Sequence, residues 1–178
     1  MHDVSKNGEL LSLRSVLHAR SVLDAWLKPS PTRSYSGLNA VVGLNLLLKH
    51  ENWCPTGSFK IRGALYLLRR LQEDGTDAVC TASTGNLGLG IAKAAKMLGM
   101  RAVICVPEAA NPQKVSAIKS SGADIVVRGR DFDDARDWIR EHSEDFQAKF
   151  VGSTAPEVIL GSATYAHELI LEHADVDC

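Results

Sequence analysis

The sequence has no charge excess, no clustered cysteines and no long apolar run. Its 20 Lys+Arg stand against 21 Asp+Glu, a net charge of −1 over 178 residues. It therefore carries neither the basic footprint of a nucleic-acid binder nor a polybasic membrane segment. No run reaches the ~18 consecutive apolar residues of a membrane-spanning helix, and the N-terminus carries Asp3 and Glu9 where a signal peptide would have its apolar core. The four cysteines (Cys54, Cys80, Cys105 and Cys178) form no C-x-x-C pair, and the six histidines do not gather near them. Metal ligation needs closer clustering, so no metal site is expected. Cys80 and Cys105 sit in apolar runs as buried thiols do, and this usage fits a reducing cytoplasm.

What is there is an ordinary globular composition, 45% hydrophobic and 23% charged, with length for one sizeable core. From residue 77 onward short apolar runs alternate with helical patterns. Strands are expected at 77–83, 101–106, 124–127 and 149–151. Helices are expected at 86–98 (stopped by Gly99), 112–121 (capped by Asn111, closed by Gly122), 131–144 and 156–173. Strands separated by helices of this length imply right-handed βαβ units. The fold class is α/β, a parallel three-layer αβα sheet that binds ligands at the C-terminal ends of its strands. The first 76 residues read differently: an amphipathic stretch at 10–27, a Pro29-Ser-Pro31 turn, an apolar strand at 44–48 with no obvious partner, a polar loop, and a helix from about 58 to 71 with Ser58 as its N-cap.

Two segments carry chemistry. In Cys54-Pro-Thr-Gly-Ser-Phe-Lys-Ile-Arg-Gly63, Gly57 relieves a turn and Lys60 falls in the first helical turn. Cations are disfavoured at the positive end of a helix dipole. A lysine that attacks an aldehyde must be neutral part of the time, so the placement has a chemical use. The dipole contributes roughly 0.3–1 kcal/mol, less than one pKa unit at ~1.36 kcal/mol, which leaves most of any shift to desolvation or a nearby cation. The alternative is a solvent-facing lysine on an amphipathic helix. In the second segment, Thr81-Ala-Ser-Thr-Gly-Asn-Leu-Gly88, small hydroxyl residues and glycine lead from a strand into a helix. Free backbone N–H groups there suit a carboxylate or phosphate. Gly85, Gly88 and Gly90 run G-x-x-G-x-G, not the dinucleotide spacing G-x-G-x-x-G. Glu108, roughly ~20 residues on, is the only other support for a nicotinamide site.

Together these segments resemble the fold-type II, tryptophan-synthase-β-like enzymes that use pyridoxal 5'-phosphate (PLP), specifically the serine/threonine dehydratase and serine racemase group. Pro55-Thr-Gly-Ser-Phe-Lys-Ile-Arg-Gly-Ala64 is similar to the group's lysine motif and Ser83-Thr-Gly-Asn86 to its substrate-carboxylate loop. Leu48-Lys-His-Glu-Asn52, Val106-Pro-Glu108, Asn111-Pro-Gln-Lys114 and Gly129-Arg-Asp-Phe-Asp133 follow its pattern in order. The resemblance implies that Lys60 holds PLP as a Schiff base and moves the substrate's Cα proton. By the same resemblance Phe59 packs on the cofactor ring and Asn86 bonds the cofactor's 3′-oxygen. Ser83, Thr84, Gly85, Asn86 and Leu87 then hold the amino acid's carboxylate, largely through backbone N–H groups.

The implied activity is that of an amino-acid ammonia-lyase converting L-threonine or L-serine to a 2-oxo acid and ammonia, with a small amino acid as partner and a homo-oligomer as the full-length form. Leu87 and Leu89 depart from the group, where His and Gln or Ala are usual. Gly161-Ser-Ala-Thr164 replaces a Gly-x-Gly-Thr pattern. Thr84 stands where racemases use a serine, and its added methyl favours elimination over racemisation. The resemblance also implies a division into 1–76 (an incomplete part of a large domain), 77–153 (a small domain) and 154–178 (a return helix). The glycine-rich phosphate loop and the pyridine-nitrogen partner are absent from this sequence, so poor PLP binding by this chain alone is expected. A serine racemase or another β-eliminating relative is the alternative within the class, and an inactive remnant or interaction module the alternative outside it.

Overall fold

The computed structural model describes residues 11–177. Helix α1 spans Leu13–Leu23, its amide at Ser15 capped by the Ser12 hydroxyl at 3.2 Å. Strand β1 (Thr32–Arg33) follows the Pro29–Pro31 turn, then helix α2 (Ser36–Val42), strand β2 (Leu48–Lys49), a 3-10 turn (Glu51–Trp53) and helix α3 (Lys60–Glu73). The expected strand at 44–48 is corrected here. Ordered pairing is confined to Leu48–Lys49, and its partner lies upstream, antiparallel at Thr32 and Arg33. Gly43 closes α2 at φ 71, and the Asn39 side chain accepts from the Leu46 amide at 3.0 Å. These contacts bend the apolar segment back before it can extend.

The remaining elements are β3 (Ala78–Ala82), α4 (Asn86–Leu98), β4 (Arg101–Val106), α5 (Pro112–Ser120), β5 (Asp124–Val127), α6 (Phe132–Glu141), a 3-10 turn (Glu144–Phe146), β6 (Lys149–Phe150) and α7 (Pro156–Glu172). Asn111 caps α5, and Asp131 caps α6 through the Asp134 amide at 2.9 Å. Helix α6 ends at Glu141, short of the expected 144, and the turn that follows is completed by Gln147 at φ 48. All pairings of the four-stranded sheet are parallel, in the order β5-β4-β3-β6.

Both sheet faces are covered, which is why β3 and β4 read as continuous apolar runs. Val79, Ala102, Ile104 and Val106 join one core with α1, α3, α4 and α7. The alternate residues Ala78, Cys80, Ala82, Val103 and Cys105 face Ala135 and Ile139 of α6. The chain steps outward from β3 to β5 and then returns to place β6 on the other side of β3. The strand order therefore reverses between β3 and β6, and the C-terminal ends of these two strands form the switch point where open α/β sheets bind ligands.

Candidate active site

The lysine segment enters its helix through a tight turn. Gly57 adopts φ 69 and donates its amide to the Cys54 carbonyl at 2.8 Å. The expected N-cap at Ser58 is corrected: Phe59 occupies that position without a side-chain cap, and the Arg62 amide reaches the Phe59 carbonyl at 3.0 Å. The Ser58 side chain turns inward, and its buried hydroxyl has no hydrogen-bond partner. Lys60 opens α3, half-buried, with no carboxylate partner among the described residues. Its Nζ lies 4.8 Å from the centroid of the Phe59 ring. Phe59 in turn packs against Tyr165 of α7 at 5.5 Å.

Glycines bring the second segment to this turn. At Gly90 of α4 a Cβ would lie 3.1 Å from the Lys60 carbonyl oxygen, so α4 rests directly on the lysine turn. Asn86, exposed and four residues earlier, shares that helix face. The Ser83 hydroxyl accepts from the amides of Gly88 at 2.9 Å and Gly85 at 3.3 Å. The amides of Thr84, Asn86 and Leu87 have no acceptor among the described residues. Ser83 is buried, Thr84 and Gly85 are half-exposed, and the Leu87 side chain packs against the main core. The loop thus presents N–H groups at the end of β3 and the start of a 13-residue helix, an arrangement suited to an anion. No hydrogen bond joins Lys60 to these residues.

Sequence reasoning missed a buried ion network two residues beyond Lys60. Arg62, 2% exposed, binds Glu51 at 2.7 Å and Glu168 at 2.7 Å, with Thr164 at 3.2 Å. Lys49 reaches Glu168 at 3.0 Å, and Ser30 donates to Glu51 at 2.5 Å. Burial alone would lower the Arg62 pKa, but the hydrogen bonds to Glu168 and Glu51 carry it upward. For Glu168 burial alone would raise the carboxyl, and Arg62 and Lys49 hold it below the usual range. The Cys54 thiol is pushed up to about 11, first by burial and then by the Glu51 charge. On the opposite side, a Cβ at Gly161 of α7 would lie 2.6 Å from the Arg62 carbonyl oxygen. The departure at Ala163 leaves Gly161 and Thr164, the two residues of that pattern that touch the lysine helix, in place.

The lysine segment fits a PLP cofactor. Among the described residues it offers a lysine without an ion-pair partner, a ring beside it, and a buried hydroxyl without a partner at Ser58. The family described as pyridoxal-phosphate dependent enzyme matches residues 24–178. The chain belongs to that family. An L-threonine ammonia-lyase of Geobacter sulfurreducens is 38% identical over 137 residues, 76% of this chain and 34% of that relative. Among solved structures, threonine deaminase isoform 2 from Solanum lycopersicum superposes at TM-score 0.83 with 29% identity, over 98% of this chain and 50% of the other. Maize serine racemase superposes at 0.87 with 28% identity, over 93% of this chain and 51% of the other. This member of the PLP family thus spans about a third of that lyase and half of those two structures. Among its described residues no helix is long and apolar enough to cross a membrane.

Proposed function

We propose that this chain carries the cofactor lysine and the carboxylate loop of a PLP-dependent ammonia-lyase acting on a β-hydroxy amino acid of the L-threonine or L-serine type. The observation that carries this reading is that α4, whose first turn has amides without acceptors, rests at Gly90 on the turn of Lys60, which has no ion-pair partner among the described residues, beside the sheet's switch point. When bound, PLP supplies the electron sink that labilises substituents at the substrate's Cα. The Lys60 Nζ holds the cofactor and then takes the Cα proton. The amides of Thr84, Asn86 and Leu87 orient the substrate carboxylate, with Ser83 fixing the loop through Gly85 and Gly88. The Asn86 side chain would help hold the cofactor by a hydrogen bond, and Phe59 would give its ring an apolar neighbour.

The net reaction removes water across Cα and Cβ, and hydrolysis of the resulting enamine yields a 2-oxo acid and ammonia. Thr84 carries a methyl where a racemase needs a small hydroxyl donor, which favours elimination. In the same reading residues 77–153 are the small domain, 1–76 and 154–178 belong to the large one, and the full-length protein is a cytoplasmic homo-oligomer without a nucleic-acid partner. The unpaired thiols of Cys54, Cys80 and Cys105 suit that compartment. Absorbance of the purified protein with PLP, before and after borohydride, tests the reading beside a Lys60→Ala control. In the full-length protein the expected result is a Lys60-dependent band made permanent by reduction, with ammonia and 2-oxobutanoate formed from L-threonine, whereas this chain alone is expected to bind PLP poorly. A band unchanged in Lys60→Ala would remove the lysine from its role.

A further inference from the structure

The stretch from Glu51 to Arg62 carries Lys60 into α3. Among the described residues, its backbone hydrogen bonds ahead of the helix stay local. Cys54 donates to the Glu51 carbonyl at 3.2 Å, Gly57 to Cys54 at 2.8 Å, and Arg62 to Phe59 at 3.0 Å. Side chains make the ties to the rest of the fold. The Arg62 guanidinium has five N–H donors, and each has an acceptor. Nε and Nη2 bind the Glu51 carboxylate at 2.7 and 2.9 Å. Nη1 and Nη2 bind the Glu168 carboxylate at 2.7 and 3.0 Å, and Nη1 also reaches the Thr164 hydroxyl at 3.2 Å. Thr164 in turn donates to the Gly161 carbonyl at 2.7 Å, and Lys49 balances Glu168 at 3.0 Å. One planar group thus joins the start of the stretch, its end and helix α7.

Resting on the function proposed above, we infer that Arg62 is a positioning residue for Lys60: it fixes the turn that carries the amine and touches neither cofactor nor substrate. Two observations set this apart from a contribution to stability alone. A buried ion network gains little over apolar packing, because desolvation offsets most of its Coulomb attraction. What two forked carboxylates add is direction, which a planar guanidinium transmits and an ammonium does not. The second observation is that α7 brackets the lysine. Tyr165 packs on Phe59, the residue before Lys60, at 5.5 Å, and Glu168, three residues along the same helix, holds Arg62, two residues after it. The backbones are also in close contact there, since a Cβ at Gly63 would lie 2.5 Å from the Val158 carbonyl oxygen of α7. On the other flank Gly90 of α4 meets the Lys60 carbonyl. The lysine backbone is gripped from both sides, and the side chain is left as the moving part. Proton transfer at a substrate carbon is sensitive to such placement, because a displacement of about 1 Å costs up to about a hundredfold in rate.

The test compares Arg62→Lys, which keeps the charge and loses the fork, and Glu51→Gln, which keeps the shape and loses the charge. Ile139→Ala, in the core on the far face of the sheet, is the control for a loss of stability unconnected with the lysine turn. Hydrogen exchange at residues 54–62, read against β3 and β4, needs no cofactor and is measured on this chain. Turnover of L-threonine is measured on the PLP-loaded full-length protein, below the unfolding range of every variant. Arg62→Lys is expected to speed exchange at 54–62 by about tenfold or more relative to the strands. It is also expected to lower kcat by about tenfold or more, with KM changed by less than about twofold. Glu51→Gln should move both readouts in the same direction by less, and Ile139→Ala should leave the exchange ratio and kcat unchanged. Arg62→Lys and Glu51→Gln behaving like Ile139→Ala, or selective exchange with kcat intact, would overturn the inference while a Lys60-dependent band keeps the proposed function. Absence of that band in the full-length protein sinks the proposed function, and selective exchange at 54–62 then leaves the hold of Arg62 on the turn standing.

Discussion

Two cations leave the same helical turn into opposite environments. Arg62 is sealed among Glu51, Glu168 and Thr164, with its guanidinium bonded on every side. Lys60, two residues earlier and half-buried, has a phenyl ring beside it and no carboxylate partner among the described residues. The Arg62 region has little left to offer a ligand, because its donors and acceptors are matched. Among the described residues, the Lys60 region has a lysine without a carboxylate partner, an unpartnered hydroxyl at Ser58 and three amides on the neighbouring loop. Buried polar groups are normally satisfied, so a cluster of unsatisfied ones beside a fully satisfied cluster separates the part of this turn that holds the fold from the part proposed to do chemistry.

The contrast breaks most visibly under alanine substitution. Arg62→Ala leaves Glu51 without its cation and the buried Glu168 with Lys49 alone, and is expected to cost about 3–5 kcal/mol. Lys60→Ala is expected to stay within about 0.5 kcal/mol. Thermal unfolding followed by circular dichroism compares them directly, and similar losses for the two would erase the distinction. A smaller effect is expected at Gly161→Ala, where the new Cβ would meet the Arg62 carbonyl oxygen at 2.6 Å and Gly63 Cα at 2.8 Å. Overpacking of this kind costs about 1–3 kcal/mol. The shift of the unfolding midpoint in urea reads it, and an unchanged midpoint would mean that α3 and α7 can separate without penalty.

The smallest effect is in acid. Glu168 is held low by Arg62 and Lys49 against its own burial, and Glu172 by Thr32 and then Lys49. Their ion pairs therefore stabilise the fold fully above the ordinary glutamate pKa of ~4.3, and the contribution is lost as pH falls through the lowered folded values. The unfolding temperature should drop on the acid side of that range, and Glu168→Gln should flatten the drop. An acid limb of the same steepness in Glu168→Gln would assign it to other carboxylates.

The chemistry was legible where it is written in contiguous residues. The lysine segment and the Ser83–Leu87 loop are short strings, and their turn and amide features follow from local backbone preference. The helix cap at Asn111 was legible for the same reason. Ser58 was misread because a serine before a helix usually caps it, whereas here burial turned the side chain away. The 44–48 segment was misread because a two-residue antiparallel contact leaves no alternation to detect. The Arg62 network left no local trace, since its carboxylates lie 11 and 106 positions away in the chain.

By itself the sequence determined the alternation of strands and helices, the position of the candidate lysine and the strand-to-helix loop of small residues, since each depends on neighbours within a few residues. Only the tertiary structure decided that β6 lies beside β3, that Gly90 and Gly161 let two helices close on the lysine turn, and that Glu51 and Glu168 converge on Arg62. Those facts depend on contacts between residues far apart in the chain, which packing selects and local preference does not encode.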